Sequence, residues 1–161
     1  MGTVSLAEPR VSVLSYHHVG SPVPGRYAWL TVSPQRFEAH VRWLAAHGYR
    51  GIRASDWLAW RTHGTPLPAK PVLVTFDDGY ADVGRFALPV LRRYGFSATV
   101  FVVTDLLGET NVWMGGTHRL LSGAEIQQWA AESIEFGAHS RSHPDLTALD
   151  NTTLLAEVQG S

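Results

Sequence analysis

The chain has 161 residues, 45% of them hydrophobic, and a formal net charge of −1. That length holds one domain with a sizeable core, and the balanced charge excludes the basic field that nucleic acid requires. With no cysteine, disulfides and thiolate ligation are excluded, so a bound metal must use His, Asp or Glu.

Residues 1–10 are polar and read as a short N-terminal extension. They lack the basic start and apolar run of a signal peptide, so the protein is expected to be cytoplasmic or to have lost an export signal. No stretch reaches the ~18 consecutive apolar residues of a membrane span. The first strand is expected from Val11 to Tyr16, ending at His17-His18. Ser33 is a good N-cap, Pro34 fits the first helical position, and Phe37, Val41 and Leu44 follow at helical spacing until His47-Gly48. A short strand over 49–52 and a short helix over 55–61 come next. Residues 62–71 read as a Pro- and Gly-rich loop. The apolar run from Pro71 to Phe76 predicts a buried strand.

A helix is expected over 82–94, with Phe86, Val90 and Tyr94 on one face and a kink at Pro89. Residues 97–103 are β-branched and aromatic, hence a strand. Residues 108–117 read as a loop. Ser122 and Glu125 form a capping box for a helix over 122–131. Ile134 to Ala138 is the next strand. Asp150 to Val158 starts a helix with Leu154, Leu155 and Val158 on one side. This alternation predicts parallel β/α units in a single domain, as a barrel or an open sheet. In such folds the reactive groups gather at the carboxyl ends of strands.

Three polar clusters sit at such ends: His17-His18, Asp77-Asp78 and His139 through His143. One carboxylate with two imidazoles is a ligand set for a catalytic divalent metal that keeps open positions. The other carboxylate is then free to act as a general base. The remaining histidines (His18, His40, His47, His63 and His118) read as surface or loop residues. Trp113 and Trp129 read as packing, with Trp113 also placed to stack on the ring of a ligand.

The strings Thr75-Phe76-Asp77-Asp78-Gly79-Tyr80 and His139-Ser140-Arg141-Ser142-His143-Pro144, with Tyr16-His17-His18-Val19 before them, resemble the polysaccharide deacetylase family, carbohydrate esterases that share the NodB homology domain. The resemblance implies a distorted (β/α) barrel and the removal of N-acetyl groups from a polysaccharide or oligosaccharide. By the family pattern Asp77 is the base, and Asp78, His139 and His143 hold the metal. Zn²⁺ is the first expectation for that metal, with Co²⁺ or Mn²⁺ as alternatives. The backbone N–H of Tyr80 is a candidate oxyanion donor. His17 reads equally as a structural histidine or as a pocket-lining residue, with a place near the acetyl group as a further reading, and is not assigned a catalytic role.

Family members carry further motifs downstream: an arginine that orients the base, a groove loop and a late general-acid histidine. Nothing in this sequence matches them after the second motif. The expectation is therefore a barrel lacking its C-terminal strands, with an exposed sheet edge that a second copy would cover as a homodimer. The alternative readings are a degenerate module that binds carbohydrate without turnover, and a related hydrolase of non-sugar C–N bonds.

Overall fold

The computed structural model describes residues 10–21 and 28–161; most of the expected N-terminal extension lies outside them. Five parallel strands form the main sheet: β1 (Ser12–Tyr16), β4 (Arg50–Ile52), β5 (Pro71–Phe76), β6 (Ala98–Val102) and β7 (Ile134–Ala138). The central strand is β5, with all six residues buried. On one side it pairs with β1 from Val72 to Phe76. On the other side its first half pairs with β4 and its last two residues with β6, which in turn pairs with β7. The wedged β4 needs a glycine, because a Cβ on Gly51 would lie 2.6 Å from the carbonyl oxygen of Ser97. Two short strands missed from the sequence, β2 (His18–Val19) and β3 (Thr31–Val32), pair in parallel beside the end of β1. A two-residue strand is too short for a period-2 pattern to register.

The described residues form five α-helices: α1 (Pro34–Ala46), α2 (Ala54–His63), α3 (Leu88–Tyr94), α4 (Gly123–Ala130) and α5 (Asn151–Gln159). Alternation sorts the sheet faces. Val72, Val74 and Phe76 of β5 and Ala98, Val100 and Val102 of β6 face Phe37, Val41 and Leu44 of α1, Leu88 and Leu91 of α3, and Trp129 of α4. The opposite face carries a polar layer: the Thr99 hydroxyl donates to Glu135 Oε2 at 2.7 Å, and the first amides of α2, Ala54 and Ser55, donate to Thr99 and Glu135. A carboxylate at a helix N-terminus also meets the favourable end of the helix dipole.

The capping signals hold. Ser33 accepts from the Arg36 amide and Ser122 from the Glu125 amide, and Asp150 caps α5. The expected kink at Pro89 does not occur there. Residues Val83–Ala87 form a π-type turn in which the Leu88 N–H donates to the Val83 carbonyl, and Pro89 sits in the first turn of α3, where no amide is needed. Helix α5 also differs from expectation: Leu155 and Val158 are exposed, and its buried residue is Glu157. Among the described residues no helix is long and apolar enough to cross a membrane.

Because the strands are parallel, the carboxyl ends of β1, β5 and β7 open on the same side, and each delivers one of the three polar clusters. The architecture is that of the distorted (β/α) barrel class.

Candidate active site

Asp77 continues the end of β5. Its N–H donates to the Tyr16 carbonyl at 2.9 Å, so the β1–β5 ladder extends through it. Alternation carries its side chain onto the face of Leu73 and Thr75. There Ser15 Oγ donates to Asp77 Oδ2 at 3.1 Å, and His17 Nε2 lies 3.9 Å from the same oxygen. Asp78 breaks the strand with φ +71°, followed by Gly79 at φ +74°. This left-handed pair turns the second carboxylate away from the first. It leaves the Asp78 side chain 4% exposed, while Asp77 stays open to the cavity.

The histidines arrive from β7. The His139 N–H donates to the Val102 carbonyl at 2.8 Å, which fixes the start of the loop. Ser140 and His143 both take positive φ, 60° and 62°, conformations that cost non-glycine residues of order 1–3 kcal/mol each and persist only where surroundings impose them. The His143 N–H donates to Ser140 Oγ at 3.1 Å, closing the loop on itself. The His143 ring stacks on Trp113, centroids 4.2 Å apart.

Asp78 Oδ1 lies 3.4 Å from His139 Nε2 and 3.2 Å from His143 Nε2. One ligand atom from each of these residues falls within 4.8 Å of the others, the only such cluster of three among the described residues. Asp78 Oδ1 is fully buried yet has no hydrogen-bond partner. Ligand atoms ~2.1 Å from a tetrahedral cation stand about 3.4 Å apart, so a buried, unpartnered oxygen facing two imidazole nitrogens fits a divalent cation. Charge agrees. Burial opposes ionisation of Asp78, but the two imidazoles outweigh it and hold its carboxyl far below the usual range. Asp78 in turn raises the pKa of His139, against the effect of burial.

A cavity of about 240 Å³ opens onto this cluster. Its walls are His17, Asp77, Asp78, His139 and His143, with Leu30, Trp113 and Met114. A larger cavity of about 520 Å³ between Asp82, His118 and Trp129 touches none of the motif carboxylates or histidines, and the chemistry points to the smaller one. Of the sequence candidates, Asp77, Asp78, His139, His143 and His17 meet at this cavity. Tyr80 is fully buried beneath it. The Tyr80 phenol, raised in pKa chiefly by burial, donates to Met114 Sδ at 3.4 Å. The bridge that Tyr80 makes to Leu120 uses the flanking bonds of Leu121 to Gly79 and Ala81 to Arg119, which leaves the Tyr80 N–H outside the ladder.

His18 corrects a sequence expectation. It is 1% exposed rather than a surface residue, its Nδ1 hydrogen-bonds Asp82 Oδ2 at 2.8 Å, and its ring stacks on Tyr80 with centroids 3.6 Å apart. No local signal marked it: His18 and Val19 are both buried, and the acceptor that lets the imidazole be buried comes from Asp82, 64 residues on. Trp113 likewise spends a ring face on His143.

Residues 64–161, more than half the chain, match the family model described as polysaccharide deacetylase, and the chain belongs to that family. It is 31% identical over 152 residues to YxkH of Bacillus subtilis (strain 168), covering 94% of this chain and 50% of that protein. It is 27% identical over 128 residues to the poly-beta-1,6-N-acetyl-D-glucosamine N-deacetylase of Staphylococcus aureus (strain MRSA252), covering 78% of this chain and 42% of that one. Among solved structures it resembles Streptococcus pyogenes deacetylase PplD in complex with acetate, at TM-score 0.78 and 24% identity, over 94% of this chain and 65% of that chain; this likeness speaks for the fold. The chain spans about half the length of the curated relatives it matches.

Proposed function

We propose that the chain forms the metal-binding part of a hydrolase that removes N-acetyl groups from a polysaccharide of N-acetylated amino sugars. The observation that carries this reading is the convergence of Asp78, His139 and His143 on one buried, unpartnered oxygen, with Asp77 beside them in the same cavity. A divalent cation held by these three residues would polarise the amide carbonyl and lower the pKa of water; Zn²⁺ suits the donor set, and Co²⁺ or Mn²⁺ are accepted by it.

The protein's own groups divide the proton work. Asp77, fixed by Ser15 and open to the cavity, takes the proton of the attacking water. His17 is the one imidazole lining the cavity that is not assigned as a ligand. With its Nε2 3.9 Å from Asp77 Oδ2, it is placed to return a proton to the departing sugar amine. The Tyr80 N–H supports the charge that develops on the carbonyl oxygen. A second cavity of about 580 Å³ shares His17 and Leu30 with the first and adds Trp29 and Arg36, room for a neighbouring sugar of a polymer.

Acetate release from β-1,6- and β-1,4-linked N-acetylglucosamine oligomers, with each metal supplied in turn, tests the reading. Asp77→Asn is expected to keep metal binding and to lower turnover by about 10²–10⁴-fold, the usual worth of a general base. Asp78→Asn is expected to lose metal binding and activity together. Activity that survives both substitutions would sink the proposal.

A further inference from the structure

We infer that Glu157, on α5, is a positioning residue that holds the loop between His139 and His143 in the shape that presents both imidazoles to Asp78. The inference rests on the reading of those three residues as metal ligands. Glu157 lies fourteen residues beyond His143 in the sequence, yet its carboxylate is folded back onto this loop. Oε2 accepts the amide N–H groups of Arg141 and Ser142 at 3.0 and 2.9 Å, and Oε1 accepts the Ser142 hydroxyl at 2.6 Å. All three donors belong to the short connection between the two histidines.

The loop needs such a clamp. It contains two non-glycine residues at positive φ, Ser140 and His143, and the His143 N–H to Ser140 Oγ contact that closes it leaves the amides of Arg141 and Ser142 to find partners elsewhere. A strained backbone relaxes unless its surroundings over-determine it. Glu157 does so from one side. On the other side the Arg141 guanidinium reaches Asp105 Oδ2 at 2.8 Å and the Asp105 N–H donates to the Arg141 carbonyl. The helix end is shaped for this contact as well: a Cβ on Gly160 would lie 2.7 Å from Arg141 Cδ, so α5 closes directly against the arginine stem.

Glu157 is 9% exposed while Leu155 and Val158 on the same helix are more than half exposed. A helix that turns a carboxylate inward and leucine and valine outward is organised around the acceptor. Residues that hold metal ligands in place govern affinity by about 10–100-fold when removed, and Glu157 acts at that level through the backbone.

The test is Zn²⁺ titration by calorimetry, with thermal melting of the metal-free proteins alongside. Glu157→Ala is expected to weaken Zn²⁺ binding by about 10–100-fold. Glu157→Gln keeps an oxygen for the two amides and is expected to stay within a few-fold of wild type. Leu154→Ala, on the same helix but outside the three hydrogen bonds to the loop, is expected to lower the melting temperature and leave affinity unchanged. Unchanged affinity in Glu157→Ala, an equal loss in Leu154→Ala, or failure of Gln to restore binding would each overturn the inference. If Glu157→Ala does not fold, Ser142→Ala removes one of the three contacts and is expected to weaken binding by about 2–10-fold; no change there would overturn it equally. Absence of Zn²⁺ binding in the wild type would instead overturn the ligand assignment, and this inference with it.

Discussion

Trp113 and His143 lie face to face, ring centroids 4.2 Å apart and planes 20° from parallel. The indole comes from a short 3₁₀ turn, Val112–Met114, in a stretch whose sequence reads as loop. Its position does two things. It fixes the rotation of a histidine whose backbone is already in an uncommon conformation, and it walls one side of the cavity. An aromatic pair of this kind contributes about 0.5–1.5 kcal/mol beyond the area it buries. Trp113→Ala should therefore weaken Zn²⁺ binding by roughly 2–10-fold, and Trp113→Phe should recover most of it. Calorimetric titration of both variants checks this; equal affinities for Ala and wild type would show that the stack does not hold His143 in place.

The Asp-Asp-Gly turn is equally intolerant of added bulk. Gly79 has φ +74°, and a Cβ there would stand 2.8 Å from Val102 Cγ1 and 3.2 Å from Val102 Cα. Left-handed backbone costs an alanine about 1–2 kcal/mol, and the clash with β6 adds about 1–3 kcal/mol. Since the flanking residues are Asp78 and Tyr80, relief of the clash must move one or both. Gly79→Ala is expected to lose about 2–5 kcal/mol of stability in denaturant unfolding and to lose metal affinity as well. A variant with normal affinity would mean that the turn yields without displacing Asp78.

Much of this site was legible because its parts are local. The apolar run of β5 ends on two carboxylates, β7 ends on two histidines four residues apart, and parallel topology alone brings those ends together. What escaped was the support, which is long-range. Nothing near Glu157 in the sequence announces a bond to Ser142, and the helical spacing of Leu154, Leu155 and Val158 argued for an apolar inner face that the fold does not use. His18 escaped for another reason: its burial depends on Asp82, 64 residues away, supplying an acceptor at 2.8 Å. Periodicity reports which side of an element is greasy. It does not report which polar group will find a partner across the core.

Acid should act on the entrance to α4. The Glu125 carboxyl is lowered to about 2, first by its bond to Arg119 and then, against the cost of burial, by the Ser122 amide and hydroxyl. Its folded-state pKa thus lies below the unfolded value of 4.5. The stability it contributes is present above pH 4.5 and is lost progressively as pH falls from there toward 2. Melting temperatures of wild type and Glu125→Gln should differ most above pH 5 and converge as the pH drops toward 2. A gap that stays constant across that range would show that the carboxylate charge plays no part in the cap.

The pairing of His18 with Asp82 sets the last expectation. His18 Nδ1 has Asp82 Oδ2 as its partner, and His18 Nε2 is buried with none, so the imidazole depends on a single contact for its polar satisfaction. Removing that contact leaves both ring nitrogens buried and unpaired, and a hydrogen bond to a charged group is worth about 1.5–3 kcal/mol. Asp82→Ala should therefore destabilise the chain by about 1.5–3 kcal/mol, whereas Asp82→Asn, which keeps an acceptor in place, should cost less. The effect should also reach the site. The His18 ring stacks on Tyr80, and Tyr80 is two residues from Asp78, so loosening the imidazole frees the segment that carries Asp78. Denaturant unfolding measures the first effect and Zn²⁺ titration the second. Loss of stability with unaltered affinity would confine the His18–Asp82 pair to the core, and loss of both would make it part of the scaffold that aims Asp78.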